Sequence, residues 1–128
     1  MEWTPIVDCA YDADITVGTL STDTYPITIQ LKDFEGNNLT VPAGVMAYYA
    51  DSATGLDPTD VTTELAITGG AGVGAGAVLI FLAKYLYLLI SEADGTIAVD
   101  SEDSGTDDQY LVLVMPNGKL VVSGVLTY

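Results

Sequence analysis

Residues 109–122 read Gln109-Tyr110-Leu111-Val112-Leu113-Val114-Met115-Pro116-Asn117-Gly118-Lys119-Leu120-Val121-Val122, and they point to antiparallel β structure. Two runs rich in Val and Leu flank Pro-Asn-Gly, and Asn-Gly readily takes the positive φ angles that a tight hairpin demands. The spacing predicts antiparallel strands over 109–115 and 119–128, a long hairpin at the heart of a sheet. Upstream, similar runs are cut by turn signals at intervals of roughly ten residues, the pattern of an all-β sandwich or barrel.

Ile27, Ile29 and Leu31 alternate with Thr28, Gln30 and Lys32, which puts three apolar side chains on one face of a half-buried strand. Phe34-Glu35-Gly36-Asn37-Asn38 supplies the next turn. Residues 41–50 read as a second strand, Val45, Ala47 and Tyr49 opposing Met46 and Tyr48, with Pro42 and Gly44 marking a strand start or an edge position. Residues 51–60 form a loop and 61–68 a short strand, while 69–76 is too glycine-rich for regular structure and predicts a flexible loop. Residues 77–82 and 85–90 read as buried strands separated by a bend near Lys84. The segment 71–90 has the length of a membrane-spanning helix, but Gly72, Gly74, Gly76, the internal Lys84 and acidic flanks favour strands. Asp94-Gly95 closes a tight turn over 91–95 with the positive φ values of hairpin loops, and Ile97 and Val99 then oppose Thr96, Ala98 and Asp100.

Residues 1–23 differ from the rest. Trp3, Pro5, Ile6, Val7 and Tyr11 are scattered apolar anchors, followed by Asp and Thr with one alternating run, Ile15-Thr16-Val17. An arm that docks on a neighbour and a first strand with a frayed end both fit. The expected organisation is an arm or first strand over 1–23 and a β-sandwich over 24–128.

The 128 residues hold eighteen carboxylates against three lysines, with no arginine or histidine, a net charge of −15 and 49% hydrophobic residues. Mean hydropathy is +0.38 and the isoelectric point about 4.1. Disorder requires low hydrophobicity together with high charge, so this is a packed body in an anionic shell. Such a surface repels nucleic acid and anionic lipid, whose binding rests on Lys and Arg. Neither is expected as a partner. Catalytic sites typically use a proton-shuttling His, an Arg clamp or a nucleophile beside its base; the inventory favours a structural or binding protein over an enzyme, with no cofactor. Cys9 stands alone, so it forms no internal disulfide, and reads as a small apolar residue near a strand. The first residues carry no basic region followed by an apolar run, which predicts assembly inside the cell.

Three motifs invite chemistry and are set aside. The glycines of 70–76 lack the Lys-Ser or Lys-Thr of a phosphate loop, and their surroundings do not predict a parallel α/β unit. Asp100, Glu102, Asp103, Asp107 and Asp108 concentrate oxygen ligands that could hold Ca²⁺, without the EF-hand spacing. A solvated acidic loop is the preferred reading. No two carboxylates stand out as a glycosidase pair, and Tyr48, Tyr85, Tyr87 and Tyr110 lie in apolar runs that suggest core or interface positions.

Ile27-Thr28-Ile29-Gln30-Leu31-Lys32-Asp33 with Gly36-Asn37, then Leu89-Ile90-Ser91-Glu92-Ala93-Asp94-Gly95, then the stretch from Tyr110 to Gly124 give the last hundred residues a resemblance. They resemble small head decoration, or accessory capsid, proteins of tailed bacteriophages and prophages, which have an immunoglobulin-like fold. The resemblance implies an antiparallel Ig-like β-sandwich with an extended N-terminal arm, made in the host cytoplasm and placed on the outer surface of the phage head. It implies the major capsid protein as partner and self-association as a homotrimer. A tail, head–tail connection or host-binding virion component with the same fold is the alternative.

Overall fold

Strand formation follows the period-two alternation closely. The computed structural model describes residues 10–68, 76–105 and 108–128, and its elements are β1 (Asp12–Val17), β2 (Thr24–Lys32), β3 (Gly44–Ala50), β4 (Pro58–Thr59), β5 (Ala66–Ile67), β6 (Ala77–Leu82), β7 (Leu86–Ile90), β8 (Thr96–Glu102), β9 (Asp108–Val114), β10 (Leu120–Val122) and β11 (Leu126–Thr127). They make two antiparallel sheets packed as a β-sandwich. The smaller runs β1-β2-β8-β5; the larger runs β10-β9-β3-β7-β6, with β11 on β9 and β4 on β3.

In β2 the residues Ile27, Ile29 and Leu31 are buried, and the register sets Ile27 opposite Val99 and Ile29 opposite Ile97. Directly opposed residues share a face, so these pairs form the inner side of the smaller sheet. Val45, Ala47 and Tyr49 on β3, Tyr87 and Leu89 on β7, and Leu111 and Leu113 on β9 face them from the larger sheet. Burial of each large apolar side chain stabilises the fold by about 1.5–3 kcal/mol. Polar groups also join the layers. Tyr49 of β3 and Ser101 of β8 hydrogen-bond hydroxyl to hydroxyl at 2.7 Å, and the Tyr49 ring meets Tyr87 edge-on at 6.3 Å between centroids.

The expected C-terminal hairpin is present, with β9 and β10 joined through Pro116-Asn117-Gly118 and Gly118 at φ +86°. It lies at the side of the larger sheet, not its middle, because β3 holds the central position. The return strand breaks at Ser123, where the Leu111 N–H donates to the Ser123 hydroxyl at 2.9 Å before β11 resumes pairing with β9. The strand expected over 41–50 starts at Gly44, since Pro42 lacks an N–H for the ladder. Of the strand expected over 61–68, Ala66 and Ile67 alone pair, because the segment crosses from the larger sheet to the smaller. Its polar groups turn to the β6–β7 turn instead: Val61 N–H donates to the Lys84 carbonyl and Lys84 N–H to Glu64. The turn over 91–95 takes positive φ at Gly95, yet it joins β7 to β8 across the two sheets and closes no hairpin.

The alternating run in the N-terminal segment is strand β1, paired with β2 from Asp12 opposite Lys32 to Val17 opposite Ile27. Residues 1–9, including Cys9, and the glycine run at 69–75 lie outside the described residues. No helix among the described residues is long and apolar enough to cross a membrane, and residues 77–90 are the β6–β7 hairpin.

The β7–β8 crossing depends on Gly95, at φ +80°, where a Cβ would lie 2.8 Å from Gln30 Nε2 and 3.1 Å from the Leu31 carbonyl. Gly95→Ala is therefore expected to lower the unfolding free energy by about 1–3 kcal/mol, measured by urea denaturation. Gly118→Ala, at a position with open space around it, should cost less.

Candidate interaction surface

The two sheets differ on their outer faces. On the smaller sheet the outward positions are mostly polar: Asp14 lies opposite Gln30, Gln30 opposite Thr96, and Pro26 opposite Asp100. That is the usual half-solvated antiparallel face. On the larger sheet the outward register is apolar from strand to strand. Leu79 of β6 lies opposite Leu88 of β7, Leu88 opposite Met46 of β3, Met46 opposite Val114 of β9, and Val114 opposite Leu120 of β10. Leu88, Met46, Val114 and Leu120 are each half-buried, while their neighbours in sequence on the inner face, Tyr87, Leu89, Ala47 and Leu113, are buried.

This explains the continuous apolar runs at 85–90 and 110–115. Such strands are expected where both faces are covered, and here the second face is covered only in part. The loop after β3 folds back on one end: Tyr48 donates its hydroxyl to the Gly55 carbonyl, and Gly55 lies against Val112 and Val122. Val112 is fully buried beneath it, whereas Leu56 at the loop tip is 70% exposed.

Strand β6 departs furthest from expectation. Its unbroken apolar run reads as a buried strand, yet Leu79, Ile80, Phe81 and Leu82 are 46%, 51%, 59% and 57% exposed. The reason is topological: β6 ends the sheet, and beyond β7 it pairs with no other strand among the described residues. A register shift between Ile80 and Leu82 bulges the strand at Phe81. Between β6 and the short edge strand β5 runs an open groove of about 270 Å³, lined by Leu65, Ile67, Gly76, Val78 and Ile80 among others. Exposed apolar edges of this kind invite pairing with another chain, and contiguous apolar patches mark interaction sites.

The β6–β7 turn is held in an uncommon conformation. Lys84 has φ +66°, a region that costs most L residues energy. Its N–H donates to Glu64 Oε2 at 3.0 Å and its carbonyl accepts from Val61, so the crossover segment pins it. The same Glu64 oxygen accepts from the Tyr87 hydroxyl at 2.8 Å.

Among the described residues, the acids weighed as calcium ligands are not gathered together. Alternation along β8 sends Asp100 and Glu102 to the outer face and Ser101 inward, and Asp103, just past the strand, is also buried. Asp100 accepts from Thr68, Asp103 from Thr62 and the Gly105 N–H, and Asp108 from Thr127. Asp107 lies outside the described residues, and among those described no three such groups are placed to hold a metal ion. Of the proposed partner contacts, Trp3, Pro5, Ile6 and Val7 also lie outside the described residues. Tyr11 packs edge-on against Phe34 at 5.9 Å, beside the Lys119–Asp12 ion pair of 3.1 Å. The Ala13 N–H and then the Lys119 ammonium hold the Asp12 carboxyl below its ordinary pKa.

The continuous outer face of the larger sheet was not identified from the sequence, although the unbroken apolar runs at 85–90 and 110–115 carried the signal. A comparison of the chain with protein-family models, curated proteins and solved structures finds no match.

Behind the surface lie phenols, Tyr49 and Tyr87 buried and Tyr128 partly buried. Burial raises the pKa of Tyr49 and Tyr87, and burial raises Tyr128 to about 12 despite its hydrogen bond with Ser101. A group whose folded pKa exceeds its unfolded value of about 10 stabilises the fold below that pH and loses the contribution as pH rises. Stability should thus be flat through neutral pH and fall between pH 10 and about 12. Tyr128→Phe should fall less steeply over that window in urea titrations monitored at fixed pH, because one titrating phenol is gone.

Proposed function

We propose that the chain is a structural virion protein, a capsid decoration protein that binds the outside of a phage head and stabilises the lattice of the major capsid protein. The observation that carries this reading is the contrast between sheet faces: an apolar face from Leu79 to Leu120 on one side, and a polar, acidic face around Asp14 and Asp100 on the other. A protein that coats a larger surface needs one face of each kind. The apolar side would lie against the shell and the anionic side would face solvent, keeping free copies apart until they dock. Residues 1–9, ahead of β1, supply further anchors in this reading through Trp3, Pro5, Ile6 and Val7.

The strand order supports the immunoglobulin-like part of the proposal. Ig sandwiches set strands A, B, E and D against G, F and C, and β1-β2-β8-β5 against β10-β9-β3 occupies those positions. The departure is in connection: β5 is reached before β6 and β7, which extend the second sheet beyond β3. Fold by itself does not fix function, so the contrast between faces and the resemblance together carry the reading. Binding stabilises a shell only where it favours the assembled lattice over free subunits.

Quantitative mass spectrometry of gradient-purified particles from the encoding phage should find copies near one per major capsid subunit, or a simple fraction of one. A handful of copies per particle would favour the tail or head–tail alternative, and none would overturn a virion role. Leu88→Glu places a charge in the middle of the apolar face. It should weaken co-sedimentation with undecorated heads at least tenfold while leaving the far-ultraviolet circular dichroism unchanged.

A further inference from the structure

We infer that β6 is a self-association edge, at which two copies pair antiparallel about a two-fold axis perpendicular to the larger sheet. The proposal concerns the free chain and does not depend on capsid binding.

The backbone supplies the first argument. The edge of a β-strand offers alternating N–H and C=O groups, and in antiparallel orientation that pattern complements itself. A two-fold interface requires this property, since the same surface must serve both subunits. The side chains supply the second. From Leu79 to Leu82 the strand is apolar on both faces and about half exposed throughout. A neighbouring strand of the same kind would set apolar side chains beside those of β6 on both faces, which docking on a flat surface would not do. Its inward side chains would also meet the groove between β5 and β6, whose lining includes Leu65, Ile67 and Val78.

Charge selects the orientation and the occupant. The two ends of β6 carry opposite signs. At the start, the Gly76 N–H donates to Glu92 Oε1 at 2.9 Å, holding a carboxylate beside the strand. At the end stands Lys84 in the β6–β7 turn. Lys32 and Lys119 are paired with Asp14 and Asp12, whereas the Lys84 ammonium makes no ion pair among the described residues. Antiparallel pairing centred near Leu79 and Ile80 brings Lys84 of each copy to the Glu92 end of the other. Parallel pairing would set like beside like. A chain of net charge −15 would otherwise repel its own copies, and here a lysine that makes no ion pair among the described residues is at the contact. Exposed ion pairs add little affinity, but they choose between registers and partners.

An axis perpendicular to the sheet leaves both outer faces on the same side. The dimer would therefore present one widened apolar face and one acidic face, suited to contact at many lattice positions with gains from multivalency.

Sedimentation equilibrium of the full chain, from micromolar to near-millimolar concentration, should show mass rising from 13.4 kDa towards twice that value. Ile80→Lys should hold the mass at the monomer value with unchanged circular dichroism. Lys84→Glu and Glu92→Lys should each shift the dimer dissociation constant upward several-fold, and the double variant should restore it. A chain that stays monomeric throughout, or one that forms trimers, would overturn the proposal, as would a double variant no better than the single ones. Because these measurements use no phage particles, their failure is separable from failure of the capsid-binding reading.

Discussion

The strands of the larger sheet carry apolar side chains on both faces, and a β-strand has no third direction in which to place them. One set, with Tyr49, Tyr87, Leu89, Leu111 and Leu113, is buried against the smaller sheet. The other set, with Leu79, Leu88, Met46 and Val114, has no second layer of comparable size among the described residues, only the loop that brings Gly55 onto Val112 and Val122. The core and the candidate interaction surface are thus two sides of the same β-strands. A substitution that made the outer positions polar would leave the inner ones in place, which allows binding to be altered without dismantling the fold.

Acidity is arranged around this constraint. The smaller sheet takes the usual pattern, apolar inward and polar outward, and carboxylates on it and in the turn leading to β8 are tied into local hydrogen bonds: Asp100 to Thr68, Asp94 to Thr96, Asp12 to Ala13 and Lys119. The larger sheet keeps its outward register free of charge from Leu79 across to Leu120. Segregation of this kind does two things. Net charge keeps free copies soluble, and the uncharged face avoids the desolvation cost of burying carboxylates when a partner covers it.

Much of the fold was legible before any coordinates. The alternation of Ile27, Ile29 and Leu31, the opposition of Val45 and Ala47 to Met46, and the Pro116-Asn117-Gly118 turn all mark elements that are present. The turn at 91–95 was also legible as a turn, but not as a crossing between sheets, because its chemistry describes φ angles and not where the following strand pairs. The candidate surface was harder to read. An apolar strand within a run such as 77–90 suggests burial on both sides, and nothing local distinguishes a central strand from the last one in a sheet.

That the chain is all-β, where most strands and turns fall, and that its charge is strongly anionic follow from the residues alone, since side-chain alternation, positive-φ turns and net charge are properties of neighbouring residues or of composition. Long-range pairing sets β3 at the centre, puts β7 and β8 in different sheets, and leaves β6 last in its sheet among the described residues, with Leu79, Ile80, Phe81 and Leu82 exposed. Those outcomes depend on which distant strands pair, as Met46 does with Val114 and Leu88. No short-range pattern encodes the position at which a sheet stops.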